Sequence, residues 1–407
     1  MGTYKTNEEE FKRLHRSFLL TIKNTRLTFR RYLTESIDWS NRFIAIRGAR
    51  GCGKTTFLYQ YIKTHLPLNE EVIYANLDDI YFTTHRLIDF AEDFVINGGK
   101  YLFLDEVHKY PTWSLELKTI YDTYHDLKII FTSSSILEVY KGNADLSRRL
   151  VCYDMEGLSF REFLLLEKGI SLKKIPLEEI IKNHIAIAME ITADIKIIPL
   201  FRNYLEYGHY PFFMESKMSY HAKLANTINL ILETDLPAIN KIEYGNIYKL
   251  KKLLSYLAMN GPYKPDITKL SGQIEVSRNT LLLFLDYLKS SKAVNLLKTD
   301  KSNESVYTKP EKVYLHNTNL LFAIGGDVTD TGVMREIFFF NQLSAKHKVG
   351  YTEKGDFLVN NKYTFEIGGK KKGFEQVKEI KESFIAADGI EVGYKEKIPL
   401  WLFGLMY

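Results

Sequence analysis

A chain of 407 residues is too long for one ordinary hydrophobic core, so roughly two to four domains are expected. With 45% apolar and 26% charged residues the chain is globular rather than disordered, and a net charge of +5 does not by itself argue for nucleic acid. Two cysteines, Cys52 and Cys152, exclude a disulfide-built fold and fit a reducing compartment. Met1 to Glu10 is polar, with no apolar signal core, and no apolar run reaches membrane-spanning length. A cytoplasmic protein that makes no use of a membrane is the expectation.

Phe11 to Leu33 carries Phe11, Leu14, Phe18, Leu19, Ile22, Leu27 and Phe29 at helical spacing, with arginines and lysines between. The pattern predicts a basic amphipathic helical stretch packed on the domain that follows, within an N-terminal segment of residues 1–36. Contact of its basic face with membrane or nucleic acid is the alternative. Arg42 to Arg47 is then a short buried strand, and Thr56 to Ile62 has helical spacing. Between them, Gly48-Ala49-Arg50-Gly51-Cys52-Gly53-Lys54-Thr55 fits G-x-x-x-x-G-K-[ST] at every fixed position. A strand, a glycine loop and a helix are the setting of a P-loop, whose backbone N–H groups wrap an anion at a helix N-terminus. Gly48 through Thr55, with Thr56, are therefore the candidate phosphate cradle. Lys54 would reach the β- and γ-phosphates, and Thr55 would hold Mg²⁺.

Glu71 to Asp78 reads as the second strand, ending in Asp78 and Asp79, which are read as turn acids with metal or water contact as the alternative. Leu87 to Val95 reads as a helix. Lys100 to Glu106 is an apolar strand closing on two acids, as in a Walker B segment. Asp105 would bind Mg²⁺ through water, since charge at a buried strand end needs a partner. Glu106 would orient or deprotonate the attacking water, and this favours hydrolysis over binding alone. Asp126 to Ser135 is another buried strand ending in hydroxyls. Ser134 would sense the γ-phosphate, or a serine there would cap a helix from Ile136 to Tyr140. In Leu146 to Leu150, Arg148 and Arg149 are candidates for an arginine finger, with a surface salt bridge as the alternative. The absence of an N-K-x-D motif disfavours guanine, so ATP is the expected nucleotide.

RGARGCGKTT, LFLDEVHKYPTW, IIFTSSS, DLSRRL and GLSFREFL together resemble one family. These are the prokaryotic AAA-superfamily ATPases, of the STAND and archaeal-ATPase group, that carry a C-terminal PD-(D/E)xK-nuclease-like region. The resemblance is densest from Ile37 to Leu164. It implies that Lys54, Thr55, Asp105 and Glu106 carry nucleotide chemistry. It aligns the family's T-G-S-S with Thr132 to Ser135 and its S-G-R with Ser147 to Arg149, which makes Arg149 the better finger candidate.

The expected fold class is α/β: a P-loop core with a parallel sheet (37–165), a helical lid (166–244), a winged helix (245–315) and a C-terminal restriction-endonuclease-like domain (316–407). Leu177 to Asn203 and Leu224 to Leu236 read as lid helices. Ile247 to Met259, a helix from Pro265, and Arg278 to Ser290 capped by Ser277 precede strands at Val294 to Leu297 and Val313 to Leu315. Arg278 and Asn279 could read base edges, but so few basic residues favour an adapter or regulatory role. Met334 to Leu343 reads as a helix, Lys348 to Thr352 and Gly355 to Val359 as strands, and Lys362 to Ile367 as the return strand. Glu336, Asp356 and Glu366 match the acid positions that the resemblance implies, while Gly368 stands at the lysine position and Lys370 two residues on. A two-residue loop at Asn360-Asn361 would set Asp356 opposite Phe365 and put Glu366 on the other face. This disfavours cleavage and favours a fold kept for partner or nucleic-acid contact. Gly373 to Ala387 reads as a helix and Pro399 to Tyr407 as a final strand.

The expected function is a Mg²⁺-dependent ATPase acting as a nucleotide-driven switch on a protein partner. A DNA-acting protein under ATP control and a non-hydrolysing nucleotide sensor are the alternatives. A homo-oligomer follows if Arg149 acts in trans.

Overall fold

Five short apolar runs form one parallel sheet: β1 (Phe43–Gly48), β2 (Val72–Asn76), β3 (Tyr101–Asp105), β4 (Lys128–Ser134) and β5 (Val151–Met155). Four of them are buried almost throughout, as strands covered on both faces are. The computed structural model describes residues 2–134, 136, 146, 148–240, 242–299, 305–325, 330–376 and 378–407. The expected helix from Ile136 to Tyr140, and Ser135 and Ser147, lie outside these apart from Ile136.

The strand order is β2-β3-β4-β1-β5. With every strand parallel, all the C-terminal ends lie along one edge of the sheet. Because β4 is inserted between β1 and β3, Gly48, Asp105 and Ser134 come to that edge from three adjacent strands, Gly48 in register with Ser134. An open parallel sheet binds ligands outside this edge.

The chain divides into two compact units, Met1–Glu156 and Gly157–Tyr407. In the first, the helices are α1 (Gly2–Asn24), α2 (Leu33–Ser36), α3 (Lys54–His65), α4 (Leu87–Ile96) and α5 (Trp113–Thr123). Leu14, Phe18 and Ile22 of α1 are buried, and Phe18 stacks on Tyr74 of β2, so the apolar face is packed as expected. The helix ends at Asn24 rather than Leu33. Lys63 of α3 takes the carbonyls of Lys23 and Thr25, and Gln60 takes those of Arg26 and Phe29, so non-helical backbone is satisfied there.

In the second unit, α6 (Phe160–Lys168) starts at a capping box of Ser159 and Glu162. The expected helix from Leu177 to Asn203 is two, α7 (Leu177–Thr192) and α8 (Ile197–Tyr207). After them come α9 (Tyr220–Leu230), α10 (Leu236–Asn240), α11 (Tyr244–Met259), α12 (Ile267–Ile274) and α13 (Arg278–Ser290). Ser277 caps α13 by accepting from the Thr280 N–H. A two-stranded ladder of β6 (Val294–Leu297) and β7 (Lys312–Leu315) follows, then α14 (Thr318–Ile324) and α15 (Thr331–Ser344).

The last sheet has the order β12-β11-β10-β9-β8, formed by β8 (Val349–Gly350), β9 (Phe357–Val359), β10 (Tyr363–Gly368), β11 (Ser383–Ala387) and β12 (Lys397–Pro399). Three stretches differ from the sequence pattern. Among its described residues Gly373 to Ala387 forms no helix: β11 lies parallel to β10, with Phe384 in register with Phe365. Pro399 to Tyr407 is not a strand: Leu400–Leu405 is a buried 3₁₀ turn. The hairpin loop after β9 holds Asn360, Asn361 and Lys362, because Val359 pairs with Tyr363 and Phe357 with Phe365. That register, extended by one, sets Asp356 opposite Glu366, not opposite Phe365. Among the described residues, no helix is long and apolar enough to cross a membrane.

Candidate active site

The P-loop is shaped by its glycines. Gly51 and Gly53 have φ of 84° and 98°, a conformation that side chains resist. A Cβ on Gly48 would lie 2.5 Å from the Met155 carbonyl oxygen of the neighbouring strand. Gly53 precedes α3, leaving the first N–H groups of that helix turned toward the loop. Lys54 is only 5% exposed, and its Nζ donates to the carbonyls of Gly48 at 3.0 Å and Ala49 at 3.3 Å. Burial pushes the Cys52 thiol up, so it is a packed group rather than a thiolate.

Arg31 was not anticipated from the sequence. Its buried guanidinium donates to the Cys52 carbonyl at 2.7 Å and to the Glu156 carbonyl at 2.6 Å, tying the loop to the end of the sheet. No spacing in its irregular stretch signals this role.

Asp105 is 2% exposed and is clasped by hydroxyls. Its Oδ2 accepts from Thr55 Oγ1 at 2.5 Å and from Tyr74 OH at 2.7 Å. Its Oδ1 accepts from Thr132 Oγ1, which in turn accepts from the Glu106 N–H at 3.1 Å. Burial first, then the Asp105 charge, push the Tyr74 phenol far up, so it remains a donor. A hydroxyl and a carboxylate in contact at the mouth of a phosphate loop form a hard oxygen donor set that suits Mg²⁺. Among the described residues, no cluster of three or more His, Cys, Asp or Glu side chains offers an alternative metal site.

Glu106 follows with φ of 54°, in the left-handed region. Its Oε1 lies 3.8 Å from Lys54 Nζ and its Oε2 3.4 Å from His108 Nε2. The ring of His108 is 1% exposed, and its Nδ1 accepts from the Ser134 N–H at 3.3 Å. Ser134 Oγ accepts from the Ile136 N–H at 3.3 Å, while the helix this serine was expected to cap lies outside the described residues.

Lys54, Thr55, Asp105 and Glu106 lie together, and Ser134 reaches them through His108. Arg149 is instead held by Asp122 of α5 through two hydrogen bonds of 2.8 and 3.1 Å, while Arg148 is exposed. Asp79 is a turn acid: it accepts from the Tyr81 N–H and pairs with Arg13 at 3.0 Å. Thr132, Tyr74 and His108 also join the site, and no motif position in the sequence gives them a role. Thr132 had the clearest signal, since alternation along β4 sets it on the same face as Ser134.

The chain is 28% identical to the uncharacterized protein MJ1637 of Methanocaldococcus jannaschii, over 87% of this chain and 81% of that one. It is 24% identical to MJ1544 of the same organism, over 70% of this chain and 56% of the relative. Among solved structures, the Aeropyrum pernix ORC1 protein in complex with DNA is similar at a TM-score of 0.31 and 11% identity, covering 79% of this chain and 92% of that chain. AMPPCP-bound DnaA from Aquifex aeolicus is similar at 0.24 and 16% identity, covering 62% and 82%. A family described as a domain of unknown function, DUF8612, matches residues 198–331. The family model described as an AAA domain matches residues 40–164, the stretch that holds the P-loop, Asp105, Glu106, His108 and Ser134.

Proposed function

We propose that the first unit binds ATP with Mg²⁺ and hydrolyses it, and that this hydrolysis acts as a nucleotide-driven switch on a protein partner. The observation that carries the reading is the meeting of Lys54, Thr55, Asp105 and Glu106 at one edge of a parallel sheet. The match to an AAA domain over residues 40–164 supports it. The P-loop N–H groups would bind the phosphates, and Lys54 would exchange the Gly48 and Ala49 carbonyls for phosphate oxygens. Thr55 and Asp105 would hold Mg²⁺, which neutralises charge on the β- and γ-phosphates. Glu106 would take the proton of the attacking water. Arg149, released from Asp122, is the finger candidate; acting in trans it would require a homo-oligomer.

Equilibrium binding of a fluorescent ATP analogue, with Mg²⁺ and with EDTA, tests the site. The expected result is Mg²⁺-dependent binding that Lys54→Ala weakens at least about tenfold, the loss of a charge-assisted contact. Equal binding by Lys54→Ala would contradict it.

A second reading concerns the C-terminal unit and is favoured by one observation. Glu336 and Asp356 both pair with Lys312, at 3.5 and 3.6 Å, and Glu366 pairs with Lys372 at 2.5 Å. Burial, and then the Asp356 charge, raise the pKa of Glu336; burial also raises that of Glu366. We propose a PD-(D/E)xK-like domain at 316–407 after a helical lid at 166–244 and a winged helix at 245–315. It would be kept for DNA or protein contact, its acids neutralised by lysines. Salt-dependent duplex DNA binding without Mg²⁺-dependent nicking is the expected result. Nicking abolished by Glu366→Gln would turn the reading to a nuclease.

A further inference from the structure

Three groups frame the carboxylate of Glu106: Lys54 on one oxygen, His108 on the other, and Ser134 behind the histidine. The ring nitrogen Nδ1 of His108 accepts a backbone N–H, so it carries no proton. The proton of the neutral ring therefore sits on Nε2, the atom 3.4 Å from Glu106 Oε2. His108 thus carries its N–H on the atom 3.4 Å from the proposed base, a close contact short of hydrogen-bond geometry, and the tautomer is set by the backbone at the end of β4. That end lies beside the P-loop, Ser134 being in register with Gly48.

From this arrangement we infer that His108 is a positioning residue that holds the aim of Glu106 and ties that aim to the end of β4. The inference rests on the ATPase reading above. When Lys54 turns to phosphate, Glu106 Oε1 loses its cation, and the histidine keeps the carboxylate in place. A γ-phosphate that moves the end of β4 shifts Ser134, and with it the ring and the base. Such contacts are often long before substrate binds and tighten afterwards. His108 itself touches neither nucleotide nor water in this account.

The test compares His108→Ala and His108→Gln with the wild type in ATP turnover and in binding of a fluorescent ATP analogue. Glutamine is chosen because its amide can place an N–H donor near the position of Nε2. Expected are a kcat about 10–100-fold lower in His108→Ala with binding little changed, and substantial recovery in His108→Gln. Equal losses in the two variants, or a loss confined to KM, would overturn the inference while leaving the ATPase reading intact.

A second measurement does not need turnover. In ¹⁵N-histidine-labelled wild type, the His108 signals, identified by their absence in His108→Gln, should show the Nε2–H tautomer. They should shift with a non-hydrolysable ATP analogue and Mg²⁺ but not with ADP. If the wild type binds ATP without turning it over, the ATPase reading fails and this spectrum decides: an analogue-specific shift supports the coupling, and its absence overturns it.

Discussion

The phenol of Tyr74 donates to Asp105 Oδ2 at 2.7 Å, sharing that oxygen with Thr55. It reaches across from β2, one strand over, where Asn76 and not Tyr74 is in register with Asp105. Tyr74→Phe would leave the carboxylate buried with one hydroxyl fewer. Removing a hydrogen bond to a charged group costs about 1.5–3 kcal/mol. Loss of stability on that scale in EDTA, partly restored by Mg²⁺ with ATP, is the expected outcome of thermal unfolding with and without ligand.

Gly48→Ala brings a methyl group to 2.5 Å from the Met155 carbonyl oxygen and 2.9 Å from Cys52 Sγ, so backbone has to move. Overpacking of this kind costs about 1–3 kcal/mol, and here it also deforms the phosphate cradle. Gly245→Ala is the contrast. Its Cβ would meet nothing within 4 Å, and it lies in the first turn of α11. Chemical denaturation should show Gly48→Ala destabilised with weakened ATP binding, and Gly245→Ala unchanged or up to about 1 kcal/mol more stable.

Burial holds the imidazole of His316 well below its ordinary 6.5, and the nearby Lys292 charge acts in the same direction. Its ring lies against the amides of Asn317 and Asn341. Below about pH 6.5 the unfolded chain binds a proton that the folded chain refuses, so stability falls as pH falls. One such group costs about 1.4 kcal/mol per pH unit, until its depressed folded value is reached. His184 and His347, also lowered by burial, add to the slope. Denaturation from pH 7.5 to 5 should show this loss, with a shallower slope in His316→Gln.

The P-loop was legible because its motif lies in consecutive residues, from Gly48 to Thr55. Asp105 and Glu106 were legible because two acids closing a buried apolar run need a reason. Tyr74 and Arg31 were not, since their roles come from strand order and from backbone carbonyls far along the chain. His108 was visible only as a letter in a motif; its partner, the Ser134 N–H, exists only once β4 lies beside β3. In the C-terminal unit, Ser383 to Ala387 and Leu400 to Leu405 are mostly buried, and residues covered on all sides have no period to read. Asp356 and Glu366 were set apart by a loop counted one residue short, and one residue of register moves a side chain to the other face.

Steady-state phosphate release from Mg²⁺·ATP by wild type, Lys54→Ala and Glu106→Gln tests the central claim most directly. The account predicts turnover by the wild type and none by Lys54→Ala. It predicts a loss of about 100-fold or more in Glu106→Gln with binding retained, the scale of a missing general base. A wild type that binds ATP and releases no phosphate, or a Glu106→Gln variant that turns over at the wild-type rate, would contradict it.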